Sequence, residues 1–213
     1  MQSIPLVGSD EQRLRRALLL AAVFTAVLWL IGMVEFLGEA GLAQYGVYPR
    51  HLRGLIGILV GPLIHTSWAH LAANTGPVFI LGTALLYGYP RSVKLVIPLV
   101  YLGGGALVWL CGRESLHLGA SGLTFGALFF ICTVGILQRY RKAVALALIV
   151  FLLYGGMLGG LLPLAPEISF ESHLAGALIG TVLGFLLQDR DPPPPPKRYS
   201  WEDEAATDDP PSP

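Results

Sequence analysis

Six long stretches of this chain carry no charge, and that feature limits its fold more than any other. Residues 17–34, 54–90, 95–112, 115–138, 143–166 and 172–188 contain no Asp, Glu, Lys or Arg. A helix needs about 20 mostly apolar residues, within a range of roughly 17–25, to cross the hydrocarbon core of a bilayer. Five of the stretches suit one such helix each. The stretch 54–90 is too long for one helix and too short for two with a turn. It also holds Gly61-Pro62 and a polar cluster of His65, Thr66, Ser67 and His70. It therefore reads as an interfacial segment followed by one helix over about 68–88. Only helices or closed barrels satisfy the backbone in lipid, and the runs lack the alternation of barrel strands. The expected fold class is all-α, a polytopic membrane protein with six transmembrane helices.

The placement of the charges supports this. Only 13% of the 213 residues are charged, against roughly 25% in a soluble domain. Five charges lie in residues 1–16 and ten in 189–213, which leaves 13 for everything between. An ordinary soluble domain, a disordered chain and a nucleic-acid binder with a basic face are excluded. Arg13, Arg15, Arg16, Arg91, Lys94, Arg139, Arg141, Lys142, Arg190, Lys197 and Arg198 fall on one side of a six-helix arrangement, and only Arg50, Arg53 and Arg113 on the other. Basic residues accumulate on the cytoplasmic side, so both termini are expected there. The first helix is long for a signal peptide, and no small-x-small site follows it closely, so it is expected to be retained. Three parts result: a cytoplasmic segment 1–16, a membrane domain 17–188, and a disordered, Pro-rich acidic cytoplasmic tail 189–213. The five prolines at 192–196 form a semi-rigid spacer. Cys111 and Cys132 lie within apolar runs, where they read as packing residues.

Polar residues inside a membrane are costly and point to function by default. Here they are few. His70 and Asn74 are four apart and share a helix face. Gly119-Ala120-Ser121-Gly122 opens the fourth helix, and His173 opens the sixth. Gly176, Gly180 and Gly184 recur every four residues after His173, and Gly122 and Gly126 do the same after Ser121. Stripes of small residues let two helices approach closely. Each stripe alone is ordinary helix packing. Together they can bring Ser121 and His173 within hydrogen-bond reach. A serine at a helix N-terminus is also surrounded by N–H groups that lack helical acceptors and favour negative charge. Acyl transfer develops such a charge, and each well-placed donor is worth about 3–4 kcal/mol in the transition state.

HTSWAHLAAN (65–74), GASG (119–122) and SHLAGALIG (172–180) together resemble the rhomboid intramembrane serine proteases. The motifs fall on helices two, four and six, in the family's order, and the likeness runs from about residue 12 to 188. The resemblance implies a rhomboid-like six-helix bundle. It implies Ser121 as nucleophile and His173 as general base, with His70, Asn74 and the backbone N–H of Ser121 as the oxyanion hole. Gly119, Gly122, Gly176 and Gly180 support the site, and Phe125 matches an aromatic ring that packs on the catalytic histidine. No carboxylate is spaced to orient His173, so a Ser–His dyad is expected rather than a triad. The family's first loop carries a Trp-Arg pair where this chain reads Leu52-Arg53, which puts the packing of that loop in question. The loop, about 38–67, is expected to lie folded in the outer leaflet.

The implied activity is endoproteolysis of transmembrane segments, at a site towards the outer face of a prokaryotic inner or plasma membrane. The substrate is expected to enter between helices two and five. His65, Thr66, Ser67, Ser115 and His117 are placed to admit water. No metal or other cofactor and no nucleic-acid partner is expected; the partners are the bilayer and membrane-protein substrates. His51, His65, His70, His117 and His173 lack the spacing of a zinc-protease motif. Two alternatives remain at this stage: a catalytically inactive rhomboid-like binding protein, and a small transporter.

Overall fold

The computed structural model describes residues 10–165 and 168–192. The expectations for residues 1–9 and for the tail beyond Pro192 fall outside them. Six helices are long and apolar enough to span a membrane: α1 (Asp10–Gly38), α2 (Trp68–Gly88), α3 (Val93–Cys111), α4 (Ser121–Gln138), α5 (Arg141–Leu161) and α6 (Phe170–Leu187). The expected all-α bundle is thus the observed one. Among the described residues the single β contact is an isolated bridge, Val47 to His117.

Local chemistry explains the helix ends. Ser67 caps α2 by accepting the His70 N–H at 3.1 Å, the standard use of a serine at this position. Pro98 has no N–H to give to the preceding turn, and α3 opens into a π turn over Leu99–Gly103 directly after it. Arg139 takes a left-handed conformation (φ 51°) that ends α4, so that α5 begins two residues later.

The helix at the centre of the bundle is α4. Phe130, Ile131 and Val134 on it are buried against Leu81 and Leu85 of α2, Val96 and Val100 of α3, Val150 of α5 and Leu183 of α6. Lipid tails are as apolar as leucine, so burial alone does not drive helices together in a bilayer; close packing does. The α4–α6 contact supplies it. A methyl group on Gly176 would land on the Gly122 carbonyl, and one on Gly180 on the Gly126 carbonyl. The two stripes expected from the sequence therefore face each other, backbone against backbone. Among the six helices α5 is the least buried.

The segment between α1 and α2 folds onto α3. A short helix, Leu55–Val60, lies within it. Gly54 and Gly57 let the segment cross the backbone of residues 46–48, where a Cβ would collide. Trp109 Nε1 donates to the His51 carbonyl at 2.9 Å, and Tyr101 Oη to the Leu59 carbonyl at 2.6 Å. Leu52, in the place of the expected tryptophan, is 82% exposed. The Arg53 guanidinium lies 4.4 Å from the centre of the Tyr48 ring. The loop is packed without that tryptophan because glycine crossings and carbonyl hydrogen bonds hold it. Of the cysteines, Cys132 packs against the α4 core and Cys111 is exposed; both are free.

Candidate active site

Ser121 is the first residue of α4, and the loop before it is held in one shape. The bridge pairs the N–H and C=O of His117 with those of Val47, each at 2.9 Å, and the Gly119 N–H donates to the Gly61 carbonyl at 3.0 Å. Gly119 has φ +102°, a region side chains rarely adopt. A Cβ there would also stand 2.8 Å from the His70 ring. Glycine is required at this position on both counts.

His173 sits in the first turn of α6. Ser169 caps that turn, its hydroxyl accepting the Ser172 N–H at 3.3 Å and its carbonyl the His173 N–H at 3.3 Å. Because the glycine stripes bring α4 and α6 into contact, Ser121 and His173 meet although 52 positions apart. Ser121 Oγ is 2.8 Å from His173 Nε2. On the other side of the ring, Nδ1 is 2.8 Å from the Gly160 carbonyl. A carbonyl only accepts, so Nδ1 carries the proton and Nε2 is left as the acceptor for the serine hydroxyl. The Phe125 ring stacks on the imidazole at 4.3 Å between centroids and 11° between planes. His173 is 8% exposed and Phe125 1%.

The other expected site residues lie beside this pair. The His70 ring is against Gly119, two residues from Ser121. Its Nδ1 is 3.2 Å from Thr66 Oγ1. Asn74 is buried and gives one amide N–H to the His70 carbonyl at 3.0 Å. His65 is buried edge-on to His70, with ring centroids 5.0 Å apart. Burial foremost, with His70 as a neighbour, pulls its pKa down to about 4. His117 is a tie between loops as well as a cavity residue. It is buried and engaged, with Nδ1 2.6 Å from Ser169 Oγ, Nε2 3.0 Å from the Arg113 carbonyl, and Ser115 Oγ also on Nε2. It ties the loops together beneath α6, and it also lines a small cavity with Gly61, Gly119, Gly122 and Ser172. The Gly160 carbonyl escaped sequence reasoning. The run GGMLGGL, in a 3-10 turn at the end of α5, offers no side chain to signal it.

Residues 52–190 match the Rhomboid domain. The chain belongs to the rhomboid family. This rhomboid is similar to an uncharacterised protein of Mycobacterium tuberculosis, 35% identical over 174 residues that cover 77% of this chain and 72% of the relative. An uncharacterised protein of Mycobacterium leprae is 33% identical over the same length, covering 77% and 68%. RHOMBOID-like protein 2 of Arabidopsis thaliana is 31% identical over 145 residues, covering 65% of this chain and 42% of that protein. With six apolar spanning helices, this rhomboid is a multi-pass membrane protein.

Proposed function

We propose that this rhomboid is an intramembrane serine endopeptidase that cleaves transmembrane segments of other membrane proteins with a Ser121–His173 dyad. The observation that carries the reading is the 2.8 Å approach of Ser121 Oγ to His173 Nε2, on a ring whose other nitrogen is already bound to a carbonyl. His173 Nε2 takes the hydroxyl proton as Oγ attacks the scissile carbonyl carbon. The negative oxygen of the tetrahedral intermediate is met by the backbone N–H of Ser121, by His70 and by the second N–H of the Asn74 amide. Collapse breaks the C–N bond, and the departing amine takes the proton from His173. Water then attacks the acyl carbonyl, giving a proton to His173, and the ester bond breaks as His173 returns that proton to Ser121 Oγ. The scheme uses neither metal nor organic cofactor. The Gly160 carbonyl does for His173 what a triad carboxylate does elsewhere, fixing tautomer and orientation without adding charge.

The Lys and Arg placement supports a dyad towards the outer face and cytoplasmic termini. The substrate segment enters between α2 and α5, since α5 is the least buried helix and borders the dyad through Gly160. The segment must unwind locally, because helical peptide carbonyls are shielded.

The test is cleavage of a transmembrane reporter in liposomes, with fluorophosphonate labelling of the serine as a second readout. Ser121→Ala and His173→Ala are each expected to lose cleavage by at least about 10³-fold. Cleavage that survives in Ser121→Ala removes the nucleophile assignment. A folded wild type that neither cleaves nor labels makes the chain a non-catalytic rhomboid.

A further inference from the structure

Ser121 and His173 each sit in the first turn of a helix. Their separation therefore depends on how the two segments leading into those helices are fastened to each other. Residues 113–120 lead into α4, and residues 168–172 lead into and start α6. Arg113 Nη2 donates to the Ile168 carbonyl at 2.7 Å. Arg113 Nε is 3.3 Å from Glu171 Oε1, and the Arg113 backbone N–H donates to the same oxygen at 3.4 Å. His117 Nδ1 lies 2.6 Å from Ser169 Oγ, and Ser169 Oγ lies 2.7 Å from Ser172 Oγ. The Ser169 carbonyl in turn holds the His173 N–H. Every one of these contacts joins the Ser121 side of the site to the His173 side or braces the turn that carries His173.

Glu171 is the centre of the cluster. Its side chain is only 12% exposed, and its second oxygen is buried with no hydrogen-bond partner, 3.8 Å from His117 Nδ1. A carboxylate in such a place is costly unless its surroundings compensate it. Here the charge is met by Arg113 of the opposite segment on Oε1 and by the N-terminal turn of α6 in which Glu171 lies, while the His117 ring packs beside Oε2. Exposed ion pairs of this kind contribute little, but this one is half-enclosed and shares its partners with two backbone groups.

We infer that Glu171, acting through Arg113 and His117, is a positioning residue that holds Ser121 and His173 in register. The inference rests on the catalytic reading of that pair. A misplacement of about 1 Å at reacting groups costs on the order of a hundredfold in rate, so a modest slip of the α6 turn is enough to be seen.

The experiment uses the full chain in liposomes, labelled with ¹⁵N-histidine. Two quantities are read: the rate at which a fluorophosphonate labels Ser121, and the ¹⁵N resonance of His173 Nε2, which reports its hydrogen bond to the serine. Glu171→Gln and His117→Asn are each expected to slow labelling about tenfold and to shift the resonance. The double variant is expected to be no slower than the worse single one, because the two act on one fastening. Glu114→Gln is the control; its carboxylate pairs with Arg50 at an exposed site, 3.6 Å away, and both readouts should stay at wild-type values. Glu171→Gln that labels at the wild-type rate with an unshifted resonance overturns the inference, as does a double variant whose losses multiply. If Glu171→Gln fails to fold, His117→Asn alone decides by the same two readouts. A wild type that neither labels nor cleaves refutes the protease reading; the resonance still decides the positioning role, upheld by a shift in Glu171→Gln and overturned without one.

Discussion

The carbonyl of Gly160 decides which nitrogen of His173 faces Ser121, and Phe125 decides the plane of the ring. These two contacts make different predictions. Phe125→Leu keeps the volume apolar but removes the stacked face. It should cost about 1–2 kcal/mol of stability and lower kcat about tenfold with little change in KM, read from reporter cleavage against substrate concentration. His65 makes a prediction in pH. The folded chain resists protonating it until about pH 4, whereas an unfolded chain takes the proton near 6.5. The unfolded state therefore binds more protons between those values, so stability is full above about pH 6.5 and falls as pH drops towards 4. His65→Phe fills the same space without a titrating group. Its melting temperature should change less than that of the wild type between pH 7 and 4.5; equal slopes would remove His65 as the cause.

At the scale of the element, the α4–α6 contact is the bundle's tightest, and its glycines are not equivalent. A methyl on Gly180 meets the Gly126 backbone, which cannot step aside, whereas one on Gly184 meets Cβ and Cγ2 of Thr133 at 2.7 Å, of which Cγ2 can rotate away and Cβ moves only with its backbone. Gly180→Ala should therefore cost about 2–3 kcal/mol by overpacking. Gly184→Ala should cost less, about 1–2 kcal/mol, since the crowding is with one side chain and alanine's better helix propensity offsets part of it. Thermal unfolding in detergent gives the order, and equal losses would mean that α6 can slide on α4. The same contact brings Ser121 to His173, so on the protease reading Gly180→Ala should also slow Ser121 labelling.

At the scale of the whole molecule, the end opposite Ser121 and His173 has its own fastening. The Asp191 carboxylate accepts the N–H groups of Arg91 and Ser92, both at 2.9 Å, just before α3 begins. Gln138 at the end of α4 donates to the carbonyls of Gln188 and Asp191. The end of α6 is thus tied to α3 and α4, next to Tyr89, whose hydroxyl pKa is pushed up chiefly by burial. Asp191→Ala removes a cap and should cost about 1 kcal/mol, lowering the melting temperature by a few degrees. A chain ending at Pro192 keeps the fastening and should melt like the full chain. A large drop on truncation would show that the later residues take part in the fold.

Much of this was legible in one dimension. Charge-free runs of the right length set the number of spanning helices, because a charge in hydrocarbon is costly wherever the helix goes. Gly176 and Gly180, four apart, announced the close contact, and the polar residues His70, Asn74, Ser121 and His173 announced the site, because lipid tolerates few such groups without a purpose. Three matters were decided only by the tertiary structure. The orientation of His173 depends on a backbone carbonyl, which every residue has and no sequence marks. His117 became a buried tie to Ser169 because α6 closes over it, a fact of packing between segments 52 positions apart. Leu52 in place of the expected tryptophan left the first loop folded, because glycine crossings at 54 and 57 and carbonyl acceptors hold it. The sequence by itself determined which stretches must be helical in lipid and which residues are too polar to be there idly. The bundle decided which backbone groups those residues meet, because backbone hydrogen bonds between distant segments exist only once the helices have packed.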